Sequence, residues 1–139
     1  EVMAEFMADE YYESGFDADI VTFVPMHEKK KHKRGYNQAE EIARALSGIL
    51  ELPLVDVLDR VKLTDNLAKL GKAERAEAID GAIALNPGVK VKRKKILLVD
   101  DVFTTGATSN ECAKVLKRAQ SSKIFVLTFA TGRFHAELY

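Results

Sequence analysis

The sequence predicts an α/β fold, with a central, mainly parallel, twisted sheet flanked by helices. Three observations carry this. ILLV (96–99) is apolar at every position and runs straight into Asp100 and Asp101; a strand without alternation is buried on both faces, as in the middle of a parallel sheet. Candidate strands alternate with candidate helices along the chain. At 139 residues and 47% hydrophobic, the chain is long enough for one domain with a substantial core.

Taken in order, residues 1–13 read as a helix with Val2, Phe6 and Met7 on one face. IVTFV (20–24) is β-branched and aromatic, a strand closed by Pro25. From Asn37 onward, Ala39, Ile42, Ala43, Leu46, Ile49 and Leu50 follow helical spacing. Asn37 is suited to cap that helix, with Glu40 and Glu41 favourably placed in its first turn. PLVDVLDR (53–60) reads as a strand. Residues 60–78 are highly charged and weakly patterned, which predicts a partly helical, mobile segment. IDGAIAL (79–85) reads as a short strand and NPG (86–88) as a turn. ILLVDD (96–101) and KIFVLTFA (123–130) are strands; between them Cys112, Val115, Leu116 and Ala119 mark the inner stripe of a helix. His135 and Tyr139 receive no element.

Composition narrows the function classes. No apolar run approaches the ~20 residues of a membrane-spanning helix, and the start lacks a signal-peptide layout. A single cysteine, Cys112, excludes an internal disulfide and a Cys-rich metal site, so a reducing, cytoplasmic setting is expected. The chain opens at Glu1 in what reads as a helix, which leads us to expect a longer protein with a preceding segment. Formal neutrality, 21 basic against 21 acidic residues, hides an asymmetry. Residues 1–19 carry seven acids and no Lys or Arg, whereas HEKKKHKRG (27–35) packs Lys29, Lys30, Lys31, Lys33 and Arg34 around two histidines. A second basic run, KVKRKK (90–95), reads as a solvated approach to the central strand.

The chemistry concentrates at 96–108. In an open α/β sheet, ligands bind beyond the carboxyl ends of the strands. Asp100 and Asp101 stand at that end, where they are expected to stay solvated and to accept hydrogen bonds from hydroxyls or hold a hydrated cation. TTGAT (104–108) opens the next helix, whose first N–H groups have no intrahelical partners and attract phosphate. Thr104, Thr105 and Thr108 add hydroxyls, and Gly106 permits a tight turn and close approach. Carboxylates for vicinal hydroxyls beside an N–H cradle describe a ribose 5-phosphate. A plain helix cap accounts for the threonines singly but not for the whole unit. An ATPase Walker B strand also ends in acids, but it needs an upstream GxxxxGK[ST] loop that the chain lacks.

LLVDDVFTTGAT resembles the phosphoribosyl-pyrophosphate (PRPP) motif of type I phosphoribosyltransferases. VPMHEKKKHKRGYNQAEEIARAL (24–46) is similar to the ComF family, phosphoribosyltransferase-like proteins associated with DNA uptake in competent bacteria. Arg60, Thr64, Leu70, Glu74, Arg75 and the run VLTFA also fit. Leu67, Ala78 and Ile83 depart from the family's common Gln, Asn and Phe, and the Cys-rich zinc module often found N-terminally is absent from this chain.

The resemblance implies a type I phosphoribosyltransferase-like domain over 1–139, with 60–78 as its flexible flap. It implies that Asp100 and Asp101 hold the ribose hydroxyls, directly or through a Mg²⁺-bound water. Thr104, Thr105, Gly106, Ala107 and Thr108 would hold the 5′-phosphate. The loop 25–35 would meet the pyrophosphate, through Lys33, Arg34 and Gly35, with Arg34 the foremost charged candidate. Arg60 and Arg75 would reach the leaving group. The implied activity is Mg²⁺-dependent transfer of phosphoribosyl to a nitrogenous base. Competence proteins and a second copy of the chain are the implied partners. The alternative is a non-catalytic module that senses PRPP or binds single-stranded DNA through the basic loop.

Overall fold

The computed structural model describes residues 2–62, 70–100, 107–130 and 133–139. Helix α1 (Val2–Glu13) leads to strand β1 (Ile20–Phe23), followed by α2 (Glu28–Arg34) and α3 (Gln38–Leu50). Then come β2 (Leu58–Arg60), α4 (Lys72–Ile79), β3 (Ile83–Leu85), β4 (Lys95–Asp100), α5 (Ala107–Arg118), β5 (Lys123–Ala130) and β6 (Arg133–Leu138). The main sheet has the order β1-β4-β5-β6; the first three strands are parallel and β6 runs antiparallel to β5. A parallel bridge from Val21 to Leu54 extends the sheet beyond β1. β2 and β3 form a separate antiparallel pair, with Leu58 opposite Leu85 and Arg60 opposite Ile83.

The unbroken apolar run has the predicted fate. Ile96, Leu97, Leu98 and Val99 are all fully buried, with β1 on one side and β5 on the other; each such side chain contributes about 1.5–3 kcal/mol relative to exposure. Strand alternation divides the core into two clusters. Val21, Phe23, Leu97, Val99, Phe125 and Leu127 pack with Met7, Tyr11, Ile42 and Leu46 of α1 and α3. Ile20, Ile96, Leu98, Ile124 and Val126 pack on the other face with Cys112 and Leu116 of α5 and with Leu58 and Ile83.

Several elements differ from expectation for definable reasons. On α1 the buried stripe is Ala4, Met7, Ala8 and Tyr11, while Val2 and Phe6 are exposed. Small alanines let the helix approach α3 closely, and the Tyr11 hydroxyl accepts a hydrogen bond from the Ala18 N–H at 2.9 Å, so the phenol satisfies its polar end while buried. The run 53–60 is not one strand: residues 53–55 pair with β1, and the chain then crosses to β3 at 58–60. Asn86 holds that corner, its Nδ2 donating to the carbonyls of Asp56 (3.0 Å) and Leu58 (3.3 Å). Of 79–85 only 83–85 is extended, because Ile79 ends α4 and Gly81 turns the chain at φ 73°. The C-terminal residues form β6, unanticipated from the sequence.

Candidate active site at the sheet switch point

From β1 the chain passes through α2 and α3 to the Leu54 bridge on one side; from β4 it passes through α5 to β5 on the other. The carboxyl ends of β1 and β4 therefore flank the point where the winding reverses, the usual ligand crevice of such sheets. A main-chain hydrogen bond from Val24 N–H to the Val99 carbonyl, 2.9 Å, joins the two ends. The segments that leave them are those singled out in the sequence: the basic stretch after β1 and the DD…TTGAT stretch after β4.

The basic stretch is a helix rather than a loop. His27 caps α2 by accepting the Lys29 N–H at Nδ1 (3.1 Å), Glu28 lies in the first turn, and Lys31, His32, Lys33 and Arg34 crowd the last. That order of charge complements the helix dipole. Gly35 closes the helix in the left-handed region at φ 93°, its N–H donating to the Lys31 carbonyl at 2.7 Å. Lys31 is tied to Glu40 of α3 (3.1 Å), which also pairs with Arg44 (3.1 Å). Lys33 and Arg34 are exposed. Asn37 fixes the start of α3 to the same strand end. Its Oδ1 accepts the Ala39 N–H (3.1 Å) and its Nδ2 donates to the Val24 carbonyl (3.2 Å), so this buried amide is the predicted cap and a strand anchor as well.

On the other side, Asp100 ends β4, and Ala107 and Thr108 form the first turn of α5, with Thr108 buried. Asp101, Thr104, Thr105 and Gly106 lie outside the described residues, as do residues 63–69 of the expected flap. Asp100 corrects one expectation: it is 1% exposed rather than solvated. The cause is the alternation of β4, which turns Asp100 to the same face as Ile96 and Leu98, beneath α5. A carboxylate in that position requires a compensating charge or hydrogen bonds. Arg60 is half-buried: burial pulls its guanidinium below the ordinary arginine value, while the charge of the Asp100 carboxylate acts in the opposite direction. Burial, with Asp100 adding to it, pushes the Cys112 thiol well above its usual value, which fits a packing residue and not a nucleophile. Arg75 sits half-buried in α4.

Sequence reading overlooked Glu111. This 3%-exposed carboxylate on α5 accepts the Gly81 N–H at 3.2 Å and pairs with Lys114 at 3.1 Å, fastening the turn after α4 to the helix that precedes β5. The sequence signal, an acid on the inner stripe beside Cys112, was available. No group of three or more metal-ligating side chains occurs among the described residues. Mg²⁺ keeps waters and substrate oxygens and asks for only one or two protein carboxylates, so it needs no such group. No described helix is long and apolar enough to cross a membrane.

The family model for the phosphoribosyl transferase domain matches residues 4–136. The chain is 34% identical over 105 residues to competence protein F of Haemophilus influenzae, covering 74% of this chain and 46% of that protein. It is 30% identical over 128 residues to competence protein ComFC of Streptococcus pneumoniae, covering 88% and 52%. The chain thus spans about half the length of these curated relatives. Among solved structures, the purine phosphoribosyltransferase of Pyrococcus horikoshii superposes with a TM-score of 0.56 over 91% of this chain and 70% of that one, at 24% identity, a likeness of fold. With the switch-point architecture, the match over 4–136 and the two competence proteins in agreement, the chain belongs to the phosphoribosyl transferase domain family as a ComF-family, phosphoribosyltransferase-like protein.

Proposed function

We propose that the domain binds PRPP with Mg²⁺ and transfers its phosphoribosyl group to a nitrogenous base, releasing pyrophosphate. The observation that carries this reading is the placement of Asp100 and the first turn of α5 at the end of β4, across a switch point from a basic helix terminus. In the proposed reaction the ribose C1–O bond breaks with its electron pair leaving on pyrophosphate, and a lone pair of the base nitrogen forms the new C1–N bond. Positive charge develops on the ribose ring and negative charge on the leaving group. Thr104, Thr105, Gly106, Ala107 and Thr108 would hold the 5′-phosphate, and Asp100 and Asp101 the ribose. Lys33, Arg34 and Gly35 would face the pyrophosphate, where cationic groups stabilise the departing charge. Arg75 and the rest of 60–78 would close over the site and exclude water, a competing nucleophile. Bound Mg²⁺ would neutralise pyrophosphate oxygens.

Calorimetry tests the reading, with PRPP plus Mg²⁺ compared against ribose 5-phosphate and against PRPP with chelator. Micromolar, Mg²⁺-dependent binding is expected, lost when Asp100→Asn and Asp101→Asn are combined; undiminished affinity in that double variant would remove the ribose assignment. Pyrophosphate release with a panel of bases then separates an enzyme from a sensor. The names of the competence relatives favour a link to DNA uptake and keep a single-stranded-DNA-binding role as the second reading. DNA affinity falling steeply with salt and indifferent to the two aspartates would favour it. A cytoplasmic location and a homodimer complete the proposal.

A further inference from the structure

We propose that the chain docks head-to-tail on a second copy of itself, the acidic outer face of α1 seating on a basic groove beside α5. The inference does not depend on PRPP. It goes beyond the homodimer proposed above, because each contact leaves one face of either kind open for a further copy. On α1, Glu5, Phe6, Asp9 and Glu13 share the exposed face with Tyr12 beside them; Phe6 is 55% and Tyr12 63% exposed. Acids four apart repel along a helix, and residues 1–19 contain no Lys or Arg to relieve them. On α5, Asn110, Ala113, Lys114, Lys117 and Arg118 line one flank and, with Tyr139, bound a largely apolar groove of about 640 Å³. The basic run 90–95 extends its rim. The Arg93 N–H donates to the Gln120 carbonyl at 2.9 Å and the Ser122 N–H to the Lys94 carbonyl at 2.8 Å, which fixes the exposed Lys92, Arg93 and Lys94 beside the end of α5. Among the described residues, none of Lys92, Arg93, Lys94, Lys117 and Arg118 has an ion pair, and neither do Glu5, Asp9 and Glu13. The helix dipole accounts for Lys117 and Arg118 in the last turn of α5, but not for the turn at 92–94. The two faces match in chemistry and in length. Each joins charge of one sign to apolar surface, and α1 and α5 both have 12 residues, about 18 Å. Helix α1 packs in one core cluster and α5 in the other, so the faces lie on opposite sides of the sheet and cannot meet within one copy.

Sedimentation velocity of the full chain, across concentration and salt, tests the contact. A small interface binds weakly, so association at roughly 10–100 μM is expected at low ionic strength, weakened about tenfold or more at roughly 0.5 M salt. Two charge-reversed variants supply the decisive comparison. Glu5→Lys, Asp9→Lys and Glu13→Lys together make the α1 face basic; Lys92→Glu, Lys117→Glu and Arg118→Glu together make the groove acidic. Each variant alone should stay monomeric, because both its faces then carry one sign. Mixed, the two should associate again, since each presents the complement of the other; a mixture that stays monomeric would overturn the proposal. The salt series needs no variant, so it decides the matter even where a reversal fails to fold. A salt-insensitive species that stops at two copies and ignores both reversals would overturn this contact and keep the homodimer. A wild-type chain that is monomeric throughout would overturn both. Capture of a single-stranded oligonucleotide by such a monomeric chain would assign the basic face to nucleic acid instead.

Discussion

Asp56 lies at the corner where the chain leaves the main sheet, and its surroundings favour the protonated acid. Burial is the larger cause, the Glu40 carboxylate adds to it, and Asn86 and Lys31 only partly oppose them. A carboxyl whose folded-state value is raised contributes stability below its unfolded value of about 3.8 and loses it as pH rises through the folded value. At neutral pH the ionised group therefore works against folding. Asp56→Asn keeps an oxygen for the Asn86 amide, 3.2 Å from Oδ1, and removes the charge. It should raise Tm modestly at pH 7, with the gain shrinking as pH falls and gone near pH 3; a Tm that stays level or drops at pH 7 would contradict this account. At the same scale, Asp100 shows what a sequence conceals. Its place after ILLV was legible, but its burial was not, because the inner stripe of α5 that packs on that face of β4 comes into place only in the folded chain.

Among the elements, α3 was the most legible. Its apolar positions repeat at helical spacing and Asn37 stands where a cap belongs, and the buried Ala39, Ile42, Ala43, Leu46 and Leu50 agree. Asn37→Ala removes the cap and leaves the Val24 carbonyl without its side-chain donor, so a loss of about 1–3 kcal/mol is expected. A denaturant titration with an unchanged m-value measures it, and a loss below about 0.5 kcal/mol would mean that the amide does not anchor the strand end. Helix α2 was not legible, since it buries no residue and offers no apolar periodicity. Its formation rests on favourable propensities, capping at both ends and charge order, all of which a basic loop also displays. The segment 53–60 misled for another reason: an apolar pattern shows that a strand is buried but does not show where it changes partner.

Over the whole molecule, the parallel sheet and its two covered faces could be read from β4 alone, because only a central strand tolerates four consecutive buried aliphatics. The switch point was not legible, because it depends on which strands pair: β1 with β4 on one side and with Leu54 on the other. What the pattern could not supply was the antiparallel β6, whose strand-like character becomes evident only beside β5. Protection should follow this layering. In native-state hydrogen exchange, amides of Leu97, Leu98 and Val99 are expected to exchange slowest, and those of the two-stranded β2–β3 pair several orders of magnitude faster. Uniform protection of both would show that the small sheet unfolds only with the large one. The register of β1 on β4 also bears on how the chain is made. Asp19 and Lys95, which meet at the start of that pairing, are separated by 76 residues. At roughly 5–20 residues per second on a ribosome, β1 waits on the order of ten seconds for its inner partner to be synthesised. Throughout that interval one edge of the nascent strand stays open to chaperones and to neighbouring polypeptides, and the sheet closes only once β4 has been synthesised.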